Sequence, residues 1–255
     1  MEIKFNNFNY KNKFTDINET LIDNHIIGIT GDNYDLLLYL IYTSKSKKIT
    51  FNNLYLGNKN NNYIGYIPKV FKFYTNNVRD EILLYLNRAN VKVNNYDKRI
   101  NKALKYFNLD ESILNKKISE LSSCIQKVLS LVLITIYNPN IIIIDDLFRN
   151  LDYNYKKVVI NVLREFRKKF SKTIIIGSDN TNDLYLYTER MLILGNKNIY
   201  GKTKDLFVNL DYSNYNIKKP DIVNFVDLAK KEGHNIEYSQ DIRDLIKDVY
   251  KDVTK

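Results

Sequence analysis

The sequence predicts an α/β fold in which a mostly parallel sheet is flanked by helices. Residues 121–152 read as a buried helix, a turn, a strand of four isoleucines and then two aspartates, Asp145 and Asp146. An unbroken apolar run that ends in acid is typical of a parallel strand with charge at its carboxyl edge. Residues 25–41 form a β-rich run that enters a glycine-containing turn and a leucine-rich helix. Because ligands bind at the carboxyl edge of open α/β sheets, both segments point to a site there.

The length of 255 residues suits one domain with subdomains and allows a large core. The longest apolar stretches, such as Val128–Ile136, are too short to span a bilayer, and no signal segment opens the chain. The single cysteine, Cys124, excludes an internal disulfide and a cysteine-cluster metal site. We therefore expect a cytoplasmic protein.

The net charge of +10 would ordinarily suggest nucleic acid or an anionic membrane surface as a partner. Composition offers another explanation. The chain has 8 Gly, 3 Pro and no Trp beside 21 Tyr, the bias expected of an AT-rich genome, and its lysines are scattered along the sequence. The charge alone therefore does not indicate a nucleic-acid partner.

The first 62 residues predict strands and turns around the leucine-rich helix. Residues 1–22 read as a strand-and-turn entry that includes Tyr10. Residues 42–62 are rich in Asn and Lys apart from two short apolar segments, KITF and NLYL. Short strands among turn residues suit an antiparallel portion at the edge of the fold.

Helical periodicity dominates several later segments. In residues 78–120, apolar side chains recur at steps of three and four. Residues 153–170 predict an amphipathic helix that ends in basic residues, as the helix dipole favours. The tail, residues 213–255, predicts two helices, the first with Pro220 in its first turn and Gly233 beyond its end.

The glycine-containing turn has the arrangement that binds phosphates through backbone N–H groups at a helix N-terminus. Asn33 tolerates left-handed dihedral angles and would preserve the turn. Asp32 and Asp35, however, place negative charge where a polyanion would bind. The alternative is a helix start capped by Asp32 or Asn33, with no ligand.

Residues 121–152 resemble the signature, Walker B and D-loop block of an ATP-binding cassette (ABC) ATPase, a P-loop NTPase. Leu121 and Ser122 match the signature LSGGQ, whereas Ser123, Cys124 and Ile125 stand at its Gly, Gly and Gln. The resemblance places Asp145 at the Walker B aspartate, which binds magnesium in the family. Asp146 takes the place of the catalytic glutamate, and Asp152 is the D-loop aspartate. The resemblance also implies an inserted helical subdomain over about residues 68–137.

Residues from Gly28 resemble a Walker A motif, GxxGxGKST, with its ATP-binding positions altered. Gly28 and Gly31 match, and Asp32 and Asn33 follow. Tyr34, Asp35 and Leu36 stand at the phosphate-binding lysine, the magnesium-binding serine and the next threonine. Tyr10 matches the A-loop aromatic that stacks on adenine, although plain packing would also explain a tyrosine there.

Two further loops resemble family motifs with changed chemistry. Lys69 stands at the Q-loop glutamine that contacts magnesium and the attacking water, and a cation cannot coordinate magnesium. A solvated loop lysine is the alternative interpretation. Asp179 stands at the H-loop histidine that binds the γ-phosphate, and an aspartate there would repel it.

The tail resembles the C-terminal extension of cassette subunits in energy-coupling factor (ECF) transporters, where it pairs two cassettes. The resemblance divides the chain into an ABC ATPase-like domain, residues 1–212, and an extension, residues 213–255. It implies two partners: a second cassette, in a homo- or heterodimer, and an integral membrane subunit. It also places the chain at the inner face of the cell membrane.

The sequence thus favours a degenerate cassette, a pseudo-ATPase retained as a partner in micronutrient uptake, with doubtful binding of ATP and Mg²⁺. A first alternative is a weak ATPase that uses Asp145 for magnesium and Asp146 as base. A second is a basic nucleic-acid-binding protein on the same scaffold, which the ECF-like tail disfavours. In all three cases we expect residues 28–35, Asp145 and Asp179 to converge in one cleft, because they follow core strands.

Overall fold

A computed structural model describes residues 2–22, 24–43, 48–51, 64–88 and 95–253. Within these ranges, no helix combines the length and the apolar character needed to cross a membrane.

A six-stranded sheet forms the centre of the molecule. Its strands, in spatial order, are β11 (Ile199–Lys202), β10 (Arg190–Leu194), β5 (Ile26–Gly31), β9 (Thr173–Gly177), β8 (Ile141–Asp145) and β7 (Ile64–Ile67). All pairs are parallel except β10 with β11. The predicted α/β fold with a mostly parallel sheet is confirmed.

Alternate isoleucines of β8 enter two hydrophobic cores, one on each face of the sheet. Ile142 and Ile144 pack with the helices of one face. Ile141 and Ile143 belong to the core of the opposite face. Because both faces are covered, all four side chains are buried, which explains the unbroken apolar run in the sequence.

Helices lie on both faces and in the tail. Their bounds are α1 (Tyr34–Thr43), α2 (Val78–Arg88), α3 (Tyr96–Tyr106), α4 (Ser123–Thr135), α5 (Tyr153–Phe170), α6 (Thr181–Tyr187), α7 (Thr203–Asn209), α8 (Asp221–Lys231) and α9 (Ile242–Val253). Helix α5 has the bounds predicted from its periodicity. Helix α8 begins one residue after Pro220, which precedes the first turn rather than lying within it.

The antiparallel portion covers the α1 face of the central sheet. Strands β4 (Thr20–Leu21), β1 (Ile3–Phe5) and β6 (Ile49–Phe51) form a three-stranded antiparallel sheet. Strands β2 (Phe8–Tyr10) and β3 (Phe14–Ile17) pair separately. The predicted KITF strand coincides with β6, whereas the predicted NLYL strand lies outside the described residues.

Candidate functional site

The connection between β5 and α1 is shorter than the predicted phosphate-binding loop. Gly28 and Gly31 lie inside β5, with Gly31 opposite Leu194 of β10. The Asp32 N–H also donates to the Leu194 carbonyl at 3.2 Å. Asp32 and Asn33 alone join strand to helix, since α1 begins at Tyr34. The prediction of a loop that starts at Gly28 is therefore wrong, because pairing with β10 extends the strand through Gly31.

Gly31 is required at the end of β5 for two reasons. Its φ of +93° lies in a region that side-chain-bearing residues rarely adopt. A Cβ atom there would lie 2.1 Å from the Leu194 carbonyl oxygen, which is closer than any side chain tolerates. Asn33 also has a positive φ, 56°, as expected for its tolerance of left-handed angles.

Tyr34 fills space at the carboxyl edge with a buried ring. Its side chain packs over Gly177, the last residue of β9, where an added Cβ would lie 2.8 Å from the ring. Burial and then the charge of Asp145 raise the pKa of the Tyr34 hydroxyl. The position thus offers a neutral phenol in place of an ammonium group. Leu36 is half-buried in the same helix, and Asp35 and Asp32 are exposed beside it.

Asp145 ends β8 as a buried carboxylate, 4% exposed. Burial raises its pKa, and Asp35 and Asp146 add to this, whereas the charge and backbone N–H of Lys69 oppose it. Its Oδ1 atom is buried without a hydrogen-bond partner among the described residues. A buried, unpaired carboxylate oxygen carries an energetic cost, so this group is the most unusual of the site.

Asp146, Asp179 and Lys69 meet in one ion cluster. The Lys69 Nζ atom lies 3.9 Å from Asp146 Oδ2 and 3.8 Å from Asp179 Oδ2. Asp146 is held in place by a left-handed φ of 52°, by its N–H bond to the Gly177 carbonyl at 2.8 Å and by the Ser178 hydroxyl at 3.3 Å. Lys69 thus lies within ion-pair distance of both aspartates, and its side chain is exposed. The structure brings these residues together with Tyr34 and Asp145.

Two cations near the aspartates were not found from the sequence. Lys127 of α4 is 8% exposed, and its Nζ donates to the Asp145 carbonyl at 3.3 Å. Burial lowers the pKa of its ammonium to about 8. The Arg149 Nη1 atom lies 3.9 Å from Asp146 Oδ2. A lysine directly before the mostly apolar residues 128–136 was the available signal, because a buried lysine needs a polar partner.

The residues at the signature position form the start of α4. Ser122 caps the helix by accepting from the Ile125 N–H at 3.3 Å, and Leu121 is buried. Ser123 begins the helix, and the Cys124 thiol lies 3.7 Å from Asp152 Oδ2. Asp152 in turn caps α5 by accepting from the Tyr155 N–H at 2.8 Å. The signature and D-loop positions are therefore in contact.

Tyr10 packs within the antiparallel portion. Its ring stacks on Phe8 with centroids 6.4 Å apart, and Lys11 lies over it at 5.4 Å. Packing contacts alone therefore explain a tyrosine at this position.

The residues of the carboxyl edge fit Mg²⁺ and a triphosphate poorly. Among the described residues, no group of three acidic, histidine or cysteine side chains is arranged to hold a metal ion. Asp145 supplies one unpaired oxygen, but the cations Lys69 and Lys127 lie beside it. The first turn of α1 carries the Asp35 carboxylate, which repels phosphate.

Solved structures share this architecture. The dimeric, post-hydrolysis ATP-binding cassette MJ0796 with ADP and Pi superposes with a TM-score of 0.66 over 79% of this chain and 98% of that one, at 17% identity. The chain has the ABC cassette fold. The structure of cbiO1 from Clostridium perfringens, described as part of the ABC transporter complex cbiONQ, also gives a TM-score of 0.66. The match covers 82% of this chain and 90% of that one at 21% identity.

Sequence comparison supports the resemblance to ABC transporter ATP-binding proteins. No family model matches this chain. The ECF transporter ATP-binding protein EcfA3 of Oenococcus oeni is 26% identical over 154 residues, 59% of this chain and 53% of that protein. EcfA2 of Staphylococcus epidermidis is 23% identical over 191 residues, 70% of this chain and 67% of that protein. The match thus spans about half of the first relative.

Proposed function

We propose that this cassette is a pseudo-ATPase that acts as a structural or regulatory partner in an ECF-type uptake system for a micronutrient. The observation that carries the proposal is the pairing of β5 with β10 through Gly31, which leaves Asp32 and Asn33 as the whole connection to α1. A phosphate cradle depends on free, converging backbone N–H groups. Here the Asp32 N–H is bonded to a carbonyl of the sheet.

The internal charges of the edge support the same proposal. Lys69 lies between Asp146 and Asp179, and Lys127 lies beneath Asp145. Lys69 stands at the Q-loop position, and Lys127 adds a second positive charge beside Asp145, so cations of the chain itself balance the acidic cluster. Binding of Mg-ATP would have to break these contacts, which is unfavourable unless a partner compensates.

A weak ATPase is the second candidate, and one observation favours it. The unpaired Oδ1 atom of Asp145 is the kind of ligand that Mg²⁺ prefers. In the weak ATPase, Asp145 would hold the metal and Asp146 would act as the base. The two candidates differ in what the chain does with ATP.

We expect no ATP hydrolysis above background by the purified chain, and none after Tyr34→Lys. A restored lysine leaves Asp35, Lys69 and Asp179 unchanged, and residues that act as a unit are non-additive. Phosphate release at saturating Mg-ATP measures this. Turnover by the wild-type chain that disappears in Asp145→Asn would establish the weak ATPase instead.

The tail supports pairing with a second cassette. Helices α8 and α9 share a small core formed by Val226, Ile236 and Leu245. Their outer surfaces expose large apolar side chains, namely Phe225, Leu228, Ile242, Ile246 and Tyr250. An apolar patch of this kind is typical of a protein interface. We propose that the second cassette binds at this apolar patch.

A groove beside the Q-loop position supports docking of the membrane subunit through residues 68–120. It has a volume of about 530 Å³ and is lined by side chains that include Tyr66, Phe71 and Tyr85. Val70 and Tyr74 at its rim are 71% and 65% exposed. Exposed aromatic and apolar groups of this kind are enriched at interfaces.

Tagged chain from the native cell should therefore carry a homologous cassette and a polytopic membrane protein. Leu228→Asp should reduce recovery of the cassette about tenfold or more, because it puts a charge into the apolar patch. Lys231→Asp, an exposed position of the same helix, is the matched control. A lone monomer, or bound RNA that resists high salt, would contradict the partner assignment.

A further inference from the structure

A second concave site lies at the opposite edge of the sheet from the Walker positions. This pocket, of about 290 Å³, is bounded by α3, by the turn between α4 and β8 and by the end of α5. Its polar rim includes Arg99, Lys102 and Lys172, and its walls include Tyr106 and Phe166. Because Lys172 directly precedes β9, the pocket opens at the amino ends of the strands.

Lys172 is a buried cation that faces neutral acceptors. The residue is 6% exposed. Its Nζ atom donates to the Asn138 carbonyl at 3.2 Å and to Asn140 Oδ1 at 3.4 Å. Burial lowers the pKa of this ammonium. A buried ammonium without an anionic partner is costly, so an external anion would stabilise it.

The other two cations also lack a carboxylate partner among the described residues. Arg99 Nε and Nη2 donate to the Ile136 carbonyl at 2.8 and 2.5 Å. Lys102, one turn along α3, is exposed at the rim. No ion pair within the described part of the chain joins Arg99, Lys102 or Lys172 to an acidic side chain. The pocket therefore concentrates positive charge at its mouth.

Aromatic rings form the wall of the pocket. Phe166 packs edge-to-face against Tyr106 at 5.7 Å and against Phe170 at 5.9 Å between ring centroids. Phe170 is 47% exposed. Such rings accept a further ring in an edge-to-face or offset arrangement.

We propose that this pocket binds a small aromatic carboxylate, with its ring against Phe166 and Phe170 and its carboxylate at Lys172 and Lys102. An apolar cleft with a few convergent polar groups is the usual form of a small-molecule site, and its volume is near the lower end of the usual range of about 300–1,000 Å³. The cations favour a ligand with a carboxylate group, and the aromatic rings of the wall favour a ligand with an aromatic ring. The site is independent of the nucleotide edge and of the proposed function.

Benzoate is the probe, and benzyl alcohol is its neutral counterpart. Saturation-transfer NMR on the full chain should detect benzoate binding that is at least about tenfold tighter than that of benzyl alcohol, the effect of one charge-assisted contact. Lys172→Met should weaken benzoate binding about tenfold. Lys102→Gln, at an exposed position of α3, should weaken it about threefold. Lys168→Met, an exposed lysine of α5, should have no effect.

Three results would overturn the proposal. The first is equal binding of benzoate and benzyl alcohol, which would show an apolar groove without anion selectivity. The second is benzoate binding that Lys168→Met weakens as much as Lys102→Gln does, which would show a general effect of surface charge. The third is the absence of benzoate binding at millimolar concentration, which would leave Lys172 a structural cation of the turn.

Discussion

Gly31→Ala should lower the free energy of unfolding by about 4 kcal/mol, the sum of backbone strain and overpacking. Gly31 has a φ of +93°, and the new Cβ would lie 2.1 Å from the Leu194 carbonyl oxygen. Either β5 must separate from β10 or the residue must change its backbone angles. Because both strands lie inside the central sheet, neither change is local. Urea denaturation followed by circular dichroism measures the loss.

Gly233→Ala is the matched control for this prediction. Gly233 has nearly the same φ, +92°, but apart from its own atoms and its chain neighbours nothing in the described part of the chain lies within 4 Å of its Cβ position. We expect a loss of about 1 kcal/mol, from backbone strain alone. Equal losses for the two variants would show that Gly31 is not packed against Leu194. That result would remove the main argument for the pairing of β5 with β10 through Gly31.

Lys127→Met should stabilise the protein at pH 7 by about 1–3 kcal/mol. Burial lowers the pKa of Lys127 from 10.5 to about 8, which corresponds to an unfavourable term of about 3 kcal/mol for the charged form. Methionine keeps the apolar volume and removes the charge, at the cost of the bond to the Asp145 carbonyl. Lys168→Met, at an exposed lysine, should change stability by less than about 0.5 kcal/mol.

The pH dependence of the free energy of unfolding tests whether the Lys127 charge causes this effect. Between pH 8 and 10.5 the unfolded chain binds more protons at Lys127 than the folded chain does, so this group makes stability rise with pH. The advantage of Lys127→Met should therefore be full below pH 8 and vanish above pH 10.5. A variant less stable than wild type at pH 7 would show instead that the Lys127 charge holds Asp145 and Asp146 together.

Much of the fold follows from local patterns in the sequence. The bounds of α5 follow from its periodicity, and β8 follows from its isoleucine run. The convergence of Asp146 and Asp179 follows from parallel strands, whose carboxyl ends share one edge. These features depend on short-range periodicity and on topology.

Other features depend on contacts between distant segments and could not be read from local patterns. The extension of β5 through Gly31 is decided by its register with β10, some 160 residues later. The position of Lys127 beneath Asp145 depends on how α4 packs on β8. The pocket at Lys172 combines α3, the end of α5 and the turn between α4 and β8, so no single sequence motif predicts it.

Calorimetric titration of the full chain with Mg-ATP tests the central claim most directly. Strand β5 pairs with β10 through Gly31, and Lys69 and Lys127 balance the aspartates at the carboxyl edge. We therefore expect no binding of Mg-ATP tighter than about 1 mM, which corresponds to a binding free energy of about −4 kcal/mol. Micromolar affinity that Asp145→Asn abolishes would contradict the claim and establish a nucleotide-binding cassette.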